Sequence, residues 1–91
     1  MKRIYAREFK GYEAILVQLT ANQLKCLVGL AKIGGKAPLS SKFIKEVGIE
    51  LPATIKKALT RLIQLKIIYR YQDEYKFVNP FFKSWLLFKN L

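Results

Sequence analysis

Cations and hydroxyl groups recur at helical spacing in the segment that follows Pro52. An apolar series with the spacing of an amphipathic helix runs through this segment: Ile55, Ala58, Leu59, Leu62 and Ile63. The side chains between them are predicted to face solvent, and they carry three positive charges and no negative one: Thr54, Lys56, Lys57, Thr60, Arg61 and Gln64. Arginine can bond to guanine edges and lysine can neutralise phosphate, so this face is a candidate DNA-binding surface; the alternative is a solvated face without a partner.

The charge of the whole chain agrees with that interpretation. Its 91 residues contain 17 Lys and Arg but only 6 Asp and Glu, which gives a formal net charge of +11. Such an excess in a single small domain favours a polyanionic partner. Double-stranded DNA, an acidic protein surface and a membrane surface all satisfy it, and charge alone does not choose among them.

The sequence lacks the residue sets on which most enzyme and metal sites depend. It has no histidine, and Cys26 is its only cysteine, which excludes zinc sites of the Cys/His type, histidine-based nucleophilic catalysis and an internal disulfide. No glycine-rich phosphate loop is present, and the six carboxylates show no catalytic pairing. We therefore predict a protein that is not an enzyme and has no catalytic residue, metal or cofactor. Cys26 is predicted to be a small core residue.

No segment predicts membrane insertion or export. The apolar runs fall far short of the roughly 18 residues that span a bilayer. The basic start, Met1 to Arg3, leads into Arg7, Glu8 and Lys10 rather than into an apolar signal core. We expect a cytoplasmic protein with no membrane partner.

The first third of the chain predicts two helices. Apolar spacing indicates a short helix over 12–19. Thr20 and Gln23 have the spacing of a capping box, in which each side chain bonds to the other residue's amide, and this box predicts the start of a longer helix at Ala21. The glycine pair at 34–35 predicts its end.

The middle of the chain predicts a helix-turn-helix. Residues 36–39 include Pro38, which has no amide hydrogen to donate within a sheet. We therefore expect this segment to form a connector or an edge strand. Ser40 is then predicted to cap a brief helix over 41–47. After a four-residue turn, Pro52 suits the first position of the cationic helix.

The last third predicts a β-hairpin and a final helix. β-Branched and aromatic runs at 67–71 and 75–78 flank a turn at 72–74. Arg70 is a further candidate for DNA contact, from the hairpin. The turn is acidic and would be repelled by phosphate, which argues against insertion of the hairpin tip into a minor groove. Pro80 then opens the last helix.

This order of elements predicts a winged helix-turn-helix fold. Such a domain is mainly α with a small β-hairpin: a three-helix core, the hairpin as its wing and an added C-terminal helix. We expect an N-terminal segment with a short helix over 1–19, the winged-helix domain over 20–79, and a C-terminal helix packed on it over 80–91. In this fold the cationic helix is the one that enters a major groove.

The last helix is unusually aromatic. A 91-residue domain has limited room to bury every aromatic side chain there, so we expect part of this helix to form a protein interface, with Phe82, Trp85 and Phe88 as candidates. This expectation supports a second hypothesis. The chain would then be a docking module that contacts a protein partner or forms a homodimer, and it would not bind DNA.

Several segments together resemble a known family. They are Leu19-Thr20-Ala21-Asn22-Gln23, Ala31-Lys32-Ile33-Gly34-Gly35, Pro38-Leu39-Ser40, Leu51-Pro52-Ala53-Thr54-Ile55 with Ala58-Leu59 and Leu62, and Tyr75-Lys76-Phe77-Val78-Asn79-Pro80-Phe81-Phe82-Lys83-Ser84-Trp85-Leu86. From about Tyr12 to Leu87 the chain resembles the C-terminal winged-helix region of archaeal and bacterial AAA+ ATPases of the signal-transducing, multi-domain kind. That family usually has an aspartate before the proline of the last helix, where this chain has Asn79; both residues cap helices.

The resemblance implies that the nucleotide site of such an ATPase lies in a part absent from these 91 residues. The chain would be either an excised C-terminal domain or a stand-alone relative. Its expected partner is double-stranded DNA. Under the docking hypothesis, the partner is instead the ATPase core of a parent protein, another protein or a second copy of the chain.

Overall fold

The computed structural model describes residues 11–36 and 40–89, so most of the predicted 36–39 connector lies outside the described residues. The described elements are helix α1 over 11–17, α2 over Ala21–Ile33, α3 over Ser41–Val47, α4 over Pro52–Gln64, strands β1 over Ile68–Tyr71 and β2 over Glu74–Phe77, and helix α5 over Pro80–Lys89. The two strands pair as an antiparallel hairpin. This order confirms the predicted fold, with α3 and α4 as the helix-turn-helix and the hairpin as the wing.

Local sequence signals set the helix ends. The Thr20 hydroxyl accepts a hydrogen bond from the Gln23 amide at 3.2 Å, and the Gln23 side-chain oxygen accepts one from the Thr20 amide at 3.0 Å, so the predicted capping box starts α2. The Ser40 hydroxyl caps α3, and Pro52 opens α4. Helix α1 ends at residue 17, two residues before its predicted end, because the next two amides bond three residues back rather than four.

One hydrophobic core joins the described elements. Helix α2 lies at its centre and packs against α3, α4 and α5. The buried apolar side chains are Tyr12, Cys26, Leu27, Leu30, Ala31, Phe43, Val47, Ile49, Ile55, Ala58, Leu59, Leu62, Ile67, Ile68, Phe82, Trp85 and Leu86. They come from α1, from the helix-turn-helix and from α5 alike, so these parts stabilise one another.

The close contact between α2 and α3 depends on Gly29. A Cβ atom on this residue would lie 2.5 Å from the Cγ1 atom of Val47 and 3.3 Å from the ring of Phe43. Glycine within a helix costs about 1 kcal/mol relative to alanine. At this position α2 therefore loses some intrinsic helix stability, and the two helices pack more closely in return.

The wing is held against the rest of the domain from two sides. Ile68 of β1 is buried, and Tyr75 and Phe77 of β2 are partly buried against the core. The Tyr75 amide also donates a hydrogen bond to the Gly35 carbonyl at 3.0 Å, and a Cβ atom on Gly35 would collide with the Tyr75 carbonyl. Glycine is thus required where the chain that leaves α2 runs beside β2.

The predicted inward orientation of Ile63 is wrong. Ile63 is 37% exposed, whereas its neighbour Leu62 is fully buried. Successive helical residues are 100° apart around the axis, so Ile63 lies on the flank of α4, beside the buried stripe that includes Ile55 and Leu59. The core covers that stripe but not the whole width of the apolar face.

The turn from α4 into β1 contains a lysine in the left-handed conformation. Lys66 has a φ of 62°. Its amide donates to the Ile63 carbonyl at 2.9 Å, and the next amide, of Ile67, donates to the Leu62 carbonyl at 3.1 Å. These two bonds form a Schellman motif, in which glycine is usual at the left-handed position because a side chain there is strained.

We expect Leu62→Ala to lower the free energy of unfolding by roughly 2–5 kcal/mol, because it removes buried methyl groups and leaves a cavity in the core. Lys57→Ala, on the exposed side of α4, should change it by no more than about 0.5 kcal/mol. Urea unfolding followed by circular dichroism measures both changes. Equal losses from the two variants would contradict the orientation of α4 described above.

Lys66→Gly should raise the free energy of unfolding, by up to about 1.5 kcal/mol. Relief of a left-handed side chain is worth roughly 1–2 kcal/mol, which exceeds the roughly 0.5–1 kcal/mol entropic cost of glycine. Lys66→Ala is the matched control, because it removes the same charge and keeps the strain. A gain in the alanine variant as large as that in the glycine variant would assign the effect to charge instead.

Candidate nucleic-acid interface

Helix α4 presents the predicted cationic face to solvent. Its buried stripe packs against α2 and β1, which turns the opposite side outward. The members of this face are Lys56, Lys57, Thr60, Arg61 and Gln64, which are exposed, and Thr54, which is partly buried. The structure thus places six of the seven residues predicted to contact DNA on one helix face, which we call the α4 face.

An open groove of about 460 Å³ runs between α4 and the first turn of α2. Lys57 and Arg61, one helical turn apart, lie on its α4 wall, whereas Lys56, about 100° from Lys57 around the helix axis, does not line the groove. Asn22, which is exposed, lies on the α2 wall beside the two capping-box residues. Sequence reasoning missed Asn22 as a site residue, because only the packing of α2 on α4 brings it near the cations.

The cations of the α4 face have no carboxylate partner among the described residues. The three ion pairs of this part of the chain all involve other lysines or arginines. The Arg61 guanidinium instead donates a hydrogen bond to the Gln64 side-chain oxygen at 3.4 Å. The positive charge of the α4 face is therefore not neutralised within the described structure.

Arg70, the seventh predicted DNA-binding residue, is engaged within the wing. Its guanidinium lies 3.0 Å from an Asp73 carboxylate oxygen and 5.6 Å from the centre of the Tyr75 ring. A contact with DNA would require Arg70 to leave this carboxylate or to share it. Arg70 is thus separate from the α4 face in both position and electrostatic environment.

The predicted three-residue turn at the wing tip is wrong. Glu74 belongs to β2 and pairs with Tyr71, so the turn consists of Gln72 and Asp73 alone. Their φ values are 50° and 64°, as in the type I′ turn, whose twist suits a two-residue hairpin. The tip still carries Asp73, so it remains acidic.

The aromatic residues of α5 are divided between core and surface. Phe82 and Trp85 are buried, so the prediction that they form an exposed interface is wrong. They stack with rings 5.9 Å apart, and Tyr12 of α1 packs on both. The physical reason is that α1 covers this side of α5, an effect that helix periodicity does not reveal. Phe88 is exposed, and its role as an interface residue stays a prediction.

Cys26 fills space in the core, as predicted. It is fully buried in α2, and this burial raises the pKa of its thiol to about 11. Within residues 11–36 and 40–89, no three His, Cys, Asp or Glu side chains are grouped so that they could hold a metal ion. None of the helices in these two ranges is long and apolar enough to cross a membrane.

The fold and the exposed α4 face define the class of protein: a winged-helix domain, which is a DNA-binding or interaction module. The comparison with known families agrees. The chain belongs to the family described as a probable winged helix domain, whose family model matches residues 10–88. No curated protein and no solved structure matches the chain.

We expect iodoacetamide at mildly alkaline pH to leave Cys26 unmodified in the folded protein and to alkylate it fully in concentrated urea. The thiolate is the reactive form, and in the folded state the thiol is both inaccessible and protonated. Mass spectrometry of the intact chain measures the modification. Rapid alkylation of the native protein would contradict the burial of Cys26.

Proposed function

We propose that this winged-helix domain binds double-stranded DNA through the α4 face. One observation supports the proposal above all. Lys56, Lys57 and Arg61 share an exposed helix face without a carboxylate partner among the described residues, in a fold that can offer this helix to a major groove. The net charge of +11 adds a general attraction to a polyanion and accelerates the encounter.

Different side chains of the α4 face can contact different parts of the DNA. Lys56 and Lys57 lie about 100° apart around α4 and can neutralise phosphates of the DNA backbone. The Arg61 guanidinium can bond to a guanine edge, and its hydrogen bond to Gln64 restricts the orientations available to both side chains. Phosphate contacts would position the domain, and Arg61 would supply base preference.

The wing has a different role in this proposal. Asp73 lies at its tip, and phosphates would repel the carboxylate. We therefore place the tip outside the minor groove. Arg70 contributes at most a contact with the DNA backbone from the side of the hairpin, because its charge is shared with Asp73.

The wider setting is also a proposal, supported by the sequence resemblance alone. We infer that the domain is the C-terminal module of a AAA+ ATPase of the signal-transducing kind or a stand-alone relative, and that it acts in the cytoplasm. It would have no catalytic role of its own. Any nucleotide chemistry would belong to a different part of the parent protein.

A salt titration of DNA binding tests the α4 face. Each phosphate contact that is lost should reduce the slope of log affinity against log salt by about 0.9. The double reversal Lys57→Glu, Arg61→Glu should therefore bind a random-sequence duplex far more weakly and with a shallower slope than the parent. Fluorescence anisotropy with a labelled duplex measures both quantities, and circular dichroism shows whether the variant is folded.

The matched control is the double reversal Lys2→Glu, Arg3→Glu. Each reversal removes two units of charge, so both double variants lower the net charge from +11 to +7. The control should lose much less affinity than the α4 variant. Equal losses of affinity in the two double variants would show only nonspecific charge attraction. The assignment of DNA binding to the α4 face would then be wrong. Feeble binding by the parent at physiological salt would favour the docking module instead.

A further inference from the structure

Helix α5 exposes an apolar stripe on the side that faces away from the core. Phe81 is 61% exposed, Leu87 45% and Phe88 82%, and the exposed Ser84 lies between them along the helix. These four residues follow helical spacing and define what we call the α5 stripe. The opposite side of α5 supplies Phe82, Trp85 and Leu86 to the core, so packing among residues 11–36 and 40–89 does not account for the stripe.

The α5 stripe carries no charge. Lys83 lies on its flank and is partly buried. Lys89 lies on the side of the core, where its ammonium group is 2.9 Å from a Glu13 carboxylate oxygen and 5.2 Å from the centre of the Trp85 ring. An acidic partner would therefore be drawn to the α4 face rather than to this stripe. The surface that best complements the α5 stripe is another uncharged apolar surface.

We propose that the α5 stripe docks on the same stripe of a second copy, with the two α5 helices antiparallel. The two phenylalanines of the stripe lie symmetrically about the point between Ser84 and Trp85. Phe81 and Phe88 lie 3.5 residues on either side of that point, or about 5 Å along the axis. An antiparallel two-fold pair thus places Phe81 of each copy over Phe88 of the other, and the small Ser84 lets the helices approach at their crossing.

The area of the stripe sets the strength of this dimer. Its three apolar side chains expose on the order of 300–400 Å² per copy. The pair would then bury about 700 Å², below the roughly 1,200 Å² at which stable interfaces begin. The dimer is accordingly weak and dependent on concentration. Because each copy carries a charge of +11, added salt strengthens it by screening repulsion.

Sedimentation equilibrium of the purified chain tests the dimer. The weight-average mass should rise from 10.6 kDa toward twice that value as protein concentration increases, and the rise should be larger at high salt. Phe88→Glu should keep the chain at the monomer mass. Val17→Glu is the matched control, because Val17 is 84% exposed on α1 and gains the same charge. It should associate as the parent does.

Cross-linking tests the geometry of the pair. Ser84→Cys places a thiol at the crossing point, and Cys26 does not compete because it is fully buried. Mild oxidation should convert this variant to a disulfide-linked dimer at least tenfold faster than Val17→Cys. Non-reducing electrophoresis measures both rates.

Two results would overturn the proposal. One is a monomer mass for the parent at every concentration and salt, and the other is equal cross-linking of the two cysteine variants. Neither result bears on DNA binding by the α4 face, because Phe88→Glu leaves that face intact. DNA affinity of this variant, measured at concentrations where the parent is monomeric, should equal that of the parent apart from the loss of one unit of charge.

Discussion

The packing of α2 against α4 is the contact on which the rest of this domain depends. Burial of one leucine side chain contributes about 1.5–3 kcal/mol, and α4 buries Ile55, Leu59 and Leu62 along one stripe. An exposed ion pair contributes about 0–1 kcal/mol. Apolar burial therefore decides how α4 is rotated, and the cationic side chains occupy the side that burial leaves open. The same contact brings the start of α2 beside α4 and forms the groove.

The α4 face and the α5 stripe lie on different helices, and only the α4 face is charged. Described carboxylates pair with Lys32, Arg70 and Lys89, all of which lie outside α4. The α4 face is left positive and suits a polyanion, whereas the α5 stripe is uncharged and suits an apolar surface. Added salt weakens the electrostatic attraction between a cationic face and a polyanion. It strengthens contact between the apolar surfaces of two like-charged copies, because it screens the repulsion between them. Under the two proposals, one small domain would have two binding surfaces that respond to salt in opposite directions.

Tertiary contacts override local preference at two kinds of position. Gly29 weakens α2 as an isolated helix, but it allows α3 to approach where any side chain would collide with Val47. Lys66 adopts a left-handed conformation that glycine would occupy with less strain, because the Schellman turn directs the chain from α4 into the buried start of β1. In both places the arrangement of elements governs the backbone of a single residue.

The sequence by itself determined the helix starts, the order of elements and the cationic side of α4. Each of these depends on interactions within about four residues: the Thr20 capping box, the Ser40 cap and the apolar period that begins at Ile55. Such interactions leave a readable pattern in a single chain, and that pattern was enough to predict the winged-helix class.

Only the tertiary structure decided which apolar faces are covered and which distant residues meet. Phe82 and Trp85 are core residues because Tyr12, about 70 positions earlier, packs on them, while Phe88 on the same helix stays exposed. Asn22 lies beside the α4 cations for the same kind of reason. Periodicity identifies an apolar face. How much of that face is buried depends on the size and position of a partner element far away in the chain.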